Sequence, residues 1–538
     1  MRVRRVQRAR TAGRSASAAC WLILASIALC VPGDADGGVI PSGEPGISRD
    51  DEPVVITGSG LSALLGTPVG QVALFRFEPS SQTFVPIPFQ VDERLDVTFT
   101  VGGQGEFVEE DMYDVLHLDD GLLDEEDEIV FMFSDGGPQA PASAVWPTGS
   151  GSLRYETMVR DTRDEQQPVT RWAYLFAGPA LPRSATSYVS WGGSAASAIV
   201  TPEFSLDFTD RWLMTGYRVA PPCGSGADLI DRLKVRSRPL GYPTVDEEVL
   251  NLNSEYLGGL IGPVRVVRTV RGAKSGVNTI HYDVVSRGRW SRIVHLRVHP
   301  LHEFDVYFDW LPRTNALFFR DGMASPVPIN GVPDPTVGTS YAAWNLVRGP
   351  GGGMFVAYDA PPSPLYADKR LYYRDDAAYD DAPGSGEDYP DEDDSAYGTH
   401  GLAVLDVQDC NFERVDLGFR VEPLCSSEGS VGLAQAHFEL MTDPLDVETT
   451  PQSTAVGTVR GLLVSRVGQD VLLTWPPVAG AASYRIYRTF TMYFPFVSWA
   501  LEDEVAGTSF RDEGEAGRTD ARAYSVVAVS ADGTEGLW

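Results

Sequence analysis

The sequence predicts a mostly β protein: two β-sandwich-like blocks followed by a smaller C-terminal sandwich. Three observations carry this. The 538 residues exceed the roughly 250–300 that a single core fills. Gly 54 and Pro 38 provide turns at a density that helix bundles do not use. Short β-like runs at 54–57, 72–77, 129–133 and 172–176 alternate with turn residues, whereas helical periodicity is scarce. With 43% hydrophobic residues and 10% aromatics, the chain can bury cores of this kind.

Each segment follows from its own chemistry. Residues 1–35 read as an export signal. Six arginines between Arg2 and Arg14 precede an apolar stretch, 18–31, that is too short to span a bilayer, and Gly33 and Ala35 are small enough for cleavage after Ala35. Cys30 raises a lipid anchor as an alternative, although Leu29 before it is too large for the usual lipobox. The mature protein is thus expected to be secreted, periplasmic or on the cell surface, with no transmembrane segment. Residues 36–52 read as a tether, 53–185 as an N-terminal β domain and 202–445 as a large β-sandwich domain. The run 129–133 is apolar on both parities, which predicts a central strand covered on both faces. The polar segment 443–456 reads as a linker, and 456–538 as the last domain. Of the three cysteines beyond the signal, Cys410 and Cys425 are the expected disulfide because they are close in sequence, which leaves Cys223 free.

Two resemblances attach to these segments. In the last domain, Val471, Leu473 and Trp475 share a strand face, Pro476-Pro477 ends that strand, and Tyr484 to Arg488 form the next. This domain resembles a fibronectin type III domain, with Trp475 in the core and Tyr524 at the family's corner-tyrosine position, which implies a spacer or contact module and no catalysis. The segments 86–93 (Pro-Ile-Pro-Phe-Gln-Val-Asp-Glu), 124–131 and 262–266 resemble secreted bacterial β-sandwich proteins of unknown function found beside polysaccharide-degrading enzymes. That resemblance implies glycans as a partner and transfers no catalytic residue.

Charge is distributed unevenly. The chain carries 74 acids and 43 bases, net −31, and losing the signal takes this to −36. Such a balance opposes nucleic acid as a partner. Seven of the ten residues in 119–128 are acidic, as are ten of the twenty in 375–394. Calcium is bound by six to eight oxygens, and closely spaced carboxylates supply them. Asp124, Asp127 and Glu128 in the first run, and Asp391 and Asp393 in the second, are therefore candidate calcium ligands. A solvated acidic loop is the alternative for both.

Against this trend, residues 265–299 hold eight bases and one acid, Asp283. Alternation puts Val294, Leu296 and Val298 on one strand face and His295, Arg297 and His299 on the other. In 303–310 it puts Phe304, Val306, Phe308 and Trp310 inward and Glu303, Asp305, Tyr307 and Asp309 outward. A hairpin through 300–302 would set His299 opposite Glu303, Arg297 opposite Asp305 and His295 opposite Tyr307. Two readings stay open. One is a charged sheet face held by cross-strand pairs. The other is a groove in which Arg289, Arg292, Arg297 and His299 bind an anionic polysaccharide or cell-surface glycan. A catalytic version of the groove is a polysaccharide lyase acting on uronates, with Arg297 or Arg292 on the carboxylate and His295 or Tyr307 moving the proton. The function expected from the sequence is a non-catalytic glycan-binding or cell-surface interaction protein that calcium could stabilise. A lyase and a structural envelope protein are the alternatives.

Overall fold

The computed structural model describes residues 47–536 except 102–105, 142, 164–167, 273–278, 313–314, 380–394, 427–428, 454–457, 479–480, 490–498, 518–521 and 530–534. The signal, Cys30, Asp391 and Asp393 thus lie outside the described residues. The fold is mostly β, as the turn-rich composition predicts; the α-helices described are Glu247–Asn253 and Val431–Thr442. Among the described residues no helix is long and apolar enough to cross a membrane.

The largest unit is a sandwich. Its nine-stranded antiparallel sheet runs, in spatial order, Glu255–Ile261, Arg265–Gly272, Thr279–Ser286, Arg289–Leu296, Val415–Leu424, Gly352–Asp359, Trp344–Gly349, Ala316–Arg320 and Val327–Ile329. A four-stranded sheet of Ile230–Pro239, Leu301–Trp310, Ala396–Val407 and Asp368–Asp376 faces it. One core, including Trp290, Val294, Leu296, Phe304, Phe308, Trp310 and Phe419, fills the space between them. The short strands Ser190–Trp191 and Ile199–Val200 contribute Trp191 and Ile199 to this core, so the chain enters the sandwich within the segment 179–202 that the sequence marks as a boundary.

The N-terminal block combines a three-stranded sheet (Pro53–Thr57, Glu128–Met132, Phe89–Asp92) with a five-stranded one (Asp446–Ser453, Leu153–Asp161, Val169–Ala177, Val72–Glu78, Thr83–Pro86). The apolar run behaves as its double parity predicts. Glu128–Met132 is the central strand, with Ile129 and Phe131 packed into the block's main core and Val130 and Met132 packed against Val264 of the sandwich.

Two expectations are corrected. The segment 443–456 is not merely a linker: Asp446–Ser453 pairs along its full length with Leu153–Asp161, from Asp446 opposite Arg160 to Ser453 opposite Leu153. The sandwich is therefore inserted between strands of the N-terminal block. A polar composition misleads here because Asp446–Ser453 is an edge strand, whose outer residues need not be apolar. The disulfide is Cys223–Cys425, which bridges 202 positions, and Cys410 is a buried free thiol whose Sγ accepts the Val298 N–H at 3.3 Å. Sequence proximity fails as a guide because Cys410 follows a strand whose end points into the sandwich core.

The last 80 residues form two three-stranded sheets, Leu463–Val467, Asp470–Thr474 and Ser509–Asp512 against Ala500–Val505, Ser483–Thr489 and Ala523–Val529. Leu473, Trp475, Tyr484, Ile486 and Val526 make the core between them, and the Tyr524 hydroxyl donates to Asp512.

If Asp446–Ser453 completes the N-terminal sheet, a chain ending at residue 445 melts at least about 4 °C below one ending at residue 458. Equal melting temperatures by differential scanning calorimetry contradict the pairing.

Candidate functional site

The predicted hairpin between 295 and 307 is absent. Arg289–Leu296 pairs with Thr279–Ser286 and Val415–Leu424, whereas Leu301–Trp310 belongs to the facing sheet and pairs with Ile230–Pro239 and Ala396–Val407. His295 and Tyr307 are therefore in different sheets and are not cross-strand neighbours. The in-and-out parity of 303–310 is as read, but the cations opposite its acids come from elsewhere. Arg236 lies across from Asp305 and binds it at 3.1 Å, Arg238 binds Glu303 at 3.1 Å, and Lys234 binds Asp309 at 3.0 Å. The alternation Arg232, Lys234, Arg236, Arg238 is visible in the sequence and is the signal that the hairpin assignment passed over. Tyr307 is buried, stacked on Tyr372 with ring centroids 4.5 Å apart.

His295 and Arg297 do face away from the sandwich core, but an N-terminal hairpin covers them. Arg94–Val101 and Glu106–Tyr113 form a two-stranded ribbon whose Leu95, Val97, Phe99 and Met112 pack on Val267, Ile280 and Tyr282 of the nine-stranded sheet. The ribbon brings in Glu110, which is 1% exposed. Its carboxylate is 2.5 Å from His295 Nδ1, accepts Arg297 Nη2 at 2.9 Å and accepts Arg414 Nη1 at 2.6 Å. Burial alone would raise the Glu110 pKa. The hydrogen bond and charge of His295, with Arg414 and Arg297, outweigh burial and hold it at about 2.

A second cluster lies where the resemblance segments 86–93, 124–131 and 262–266 meet. Gln90 Oε1 accepts the backbone N–H of Val264 and Arg265 at 3.0 and 2.8 Å, and Gln90 Nε2 donates to Asp92 at 2.7 Å. Arg265 binds Asp92 at 2.7 Å and also binds Glu128, while Arg94 binds Glu128 at 3.0 Å and Asp111 at 2.6 Å. A Cβ at Gly262 would lie 2.0 Å from Gln90 Oε1, so any larger residue there would displace the Gln90 side chain from these hydrogen bonds. Glu128 is thus engaged with arginines and is not placed as a metal ligand. Its pKa stays below the ordinary value because Arg265 and Arg94 outweigh the burial that would raise it.

The other predicted binding residues are engaged in the same way. Arg289 binds Glu422 at 3.0 Å. Arg292 shares the parity of Trp290 and Val294, so it points into the sandwich, where Nε and Nη2 grip Asp283 at 2.8 and 3.1 Å. Arg268 reaches Asp283 at 3.4 Å. Burial would raise the Asp283 pKa, but Arg292, with His281 and Arg268, lowers it to about 2. Arg271 binds Glu255, and Arg287 binds Asp51 and Glu203. Every described base of the island therefore has an acidic partner; Lys274 lies outside the described residues. His299, exposed three residues beyond the strand Arg289–Leu296, contacts Asn411 at 3.1 Å.

The acidic run 119–128 divides into two parts. Asp127 is fully buried, and its carboxylate accepts the backbone N–H of Arg94 at 3.0 Å and of Asp124 at 2.8 Å. It organises the loop rather than pointing at a ligand. Carboxylate oxygens of Asp119, Asp120 and Asp124 lie within 4.8 Å of one another. Beside them, a Cβ on Gly121 would be 3.9 Å from Glu93 Oε1, an atom that is buried without a hydrogen-bond partner. Of the predicted ligands, Asp124 is the one placed in this group.

Because the folded Glu110 pKa lies below its ordinary 4.5, its stabilising effect is complete above about pH 4.5 and is lost as pH falls through about 2. Glu110→Gln therefore lowers the unfolding free energy by on the order of 3 kcal/mol at neutral pH, and the difference shrinks towards pH 2. A pH-independent difference in urea titrations contradicts this assignment.

No protein-family model matches the chain, and a search of curated proteins finds no match.

Proposed function

We propose that the chain is an exported, non-catalytic contact or structural protein of the cell surface, with its fibronectin type III-like C-terminal domain as a spacer or contact module. The observation that carries this reading is where the basic island goes. Of the side chains that would clamp a uronate or move its proton, His295 and Arg297 neutralise the buried Glu110 and so join the N-terminal block to the sandwich. Arg292 neutralises Asp283 within the sandwich, and Tyr307 is buried against Tyr372. A glycan competing for Arg297 or Arg292 would have to displace Glu110 or Asp283. Removing one partner of a buried ion pair costs roughly 3–5 kcal/mol. Export rests on the signal-like residues 1–35, so N-terminal sequencing of the mature protein is expected to begin at Asp36.

On uronate polymers the native chain is expected to show neither retention nor a rise in unsaturated-uronate absorbance, and Arg297→Ala to lower the melting temperature. Retention that Arg297→Ala abolishes without changing the melting temperature would overturn this reading in favour of a glycan groove.

Calcium is a second element of the proposal. Asp119, Asp120 and Asp124 could supply three oxygens at the start of the central strand Glu128–Met132, with Glu93 Oε1 next to them. Calcium there would relieve repulsion among these carboxylates. Millimolar calcium is expected to raise the melting temperature by about 2–4 °C, and Asp120→Asn with Asp124→Asn to remove the effect. A melting temperature indifferent to calcium and to chelator refutes the site.

A further inference from the structure

Of the 43 bases in the chain, three are lysines: Lys234, Lys274 and Lys369. Its buried ion pairs otherwise use arginine, with Arg236 on Asp305, Arg265 on Asp92 and Arg292 on Asp283. That choice is expected, because a guanidinium is planar, grips a carboxylate through two nitrogens and is more weakly hydrated than an ammonium. Lys234 departs from it. The side chain is on the outer face of the edge strand Ile230–Pro239, opposite in parity to the core residues Leu233 and Val235, and is 5% exposed. Its Nζ lies 3.0 Å from Oδ2 of Asp309, which is 1% exposed on the neighbouring strand Leu301–Trp310.

One chemical property separates the two bases in this position. A buried lysine can give up its proton and become a nucleophile, whereas an arginine stays charged. The partner is held for such a reaction. From the strand on the other side, Ala396–Val407, the Thr399 hydroxyl donates to Asp309 Oδ1 at 2.6 Å, while Oδ2 meets Lys234. The surroundings also favour neutral groups. Glu247, 3% exposed, accepts the Val235 N–H on Oε2 at 3.1 Å. Burial, with the Glu248 charge acting in the same direction and the Lys234 charge against it, pushes the Glu247 carboxyl up to about 8. An ammonium and a carboxylate in contact inside such a site exchange a proton more readily than they do in water.

We propose that Lys234 and Asp309 condense to an intramolecular amide, a covalent cross-link between two neighbouring strands of the four-stranded sheet. A proton passes from Nζ to Oδ2, which leaves an amine beside a carboxylic acid. Nζ then attacks Cγ, and the Thr399 hydroxyl stabilises the negative charge that gathers on Oδ1. The Nζ–Cγ bond forms and the Cγ–Oδ2 bond breaks. Oδ2 departs as water with the first proton and a second one from Nζ, and the third proton remains on the amide nitrogen. Nothing is oxidised or reduced, and no co-reactant is consumed. Contact between the two groups supplies the proximity that makes the condensation unimolecular. The cross-link is independent of the contact function proposed above. It fastens an edge strand, which has a neighbour on one side only, by a bond that reductants do not break.

Intact-mass spectrometry of the full mature chain, boiled in denaturant with reductant, tests this directly. The native chain is expected to weigh one water less than its sequence from the observed N-terminus. Lys234→Arg keeps the positive charge but forms no amide, and is expected to show the full mass. Proteolytic digestion of the native chain is expected to release the Lys234 peptide joined to the Asp309 peptide. A native chain of full sequence mass overturns the proposal, as does a missing water that persists in Lys234→Arg or maps to other residues. The native mass and the joined peptide decide the question even if the variant does not fold.

Discussion

A carboxylate taken out of water costs several kcal/mol unless a cation and further hydrogen bonds meet it, and the junction between the N-terminal block and the sandwich buries three of them. Asp92, Glu110 and Glu128 come from the N-terminal block. Arg265, His295, Arg297 and Arg414 come from the sandwich, and Arg94 supports the junction from the N-terminal side. Asp92 and Glu110 find their cations only across the junction, whereas Glu128 is shared between Arg94 of its own block and Arg265 of the sandwich. Of the bases concentrated in 265–299, Arg265 and Arg297 thus stand where acids of the N-terminal block are buried. The apolar contacts of the ribbon with Val267, Ile280 and Tyr282 supply area, while the ion pairs fix where the ribbon lands.

The segments 86–93, 124–131 and 262–266 meet in the same junction, where Gln90, Asp92, Glu128, Gly262 and Arg265 converge and join the two blocks. Two further long-range ties act with it. The strand Asp446–Ser453 returns to the N-terminal sheet after the sandwich is complete, and Cys223–Cys425 links the start of the sandwich to its end.

Much of the fold was legible because strand periodicity is local. Parity placed Ile129 to Met132 between two layers and divided 303–310 correctly into an inner and an outer set. What a single strand does not encode is its partner. Residues 295–299 and 303–307 are adjacent in sequence with complementary charges, yet the chain crosses from one sheet to the other at Pro300. The acids of the second strand meet Arg236 and Arg238 instead. Arg292 was misassigned for a simpler reason: its parity matches Trp290 and Val294, but its charge suggested solvent. An arginine faces a core when a carboxylate such as Asp283 faces it too, and that pairing appears only with the sheet register. The disulfide and the last strand of the N-terminal sheet depend on contacts more than 200 residues apart, which composition and spacing do not carry.

The central claim is that paired charges couple the N-terminal block to the sandwich. A double-mutant cycle of Asp92→Leu and Arg265→Met, read by denaturant unfolding of the mature chain, tests it most directly. The account predicts a coupling energy of about 1–3 kcal/mol, with the double variant losing clearly less than the two single losses combined. Losses that add to within about 0.5 kcal/mol would contradict it, since the two side chains would then be stabilising their own blocks independently.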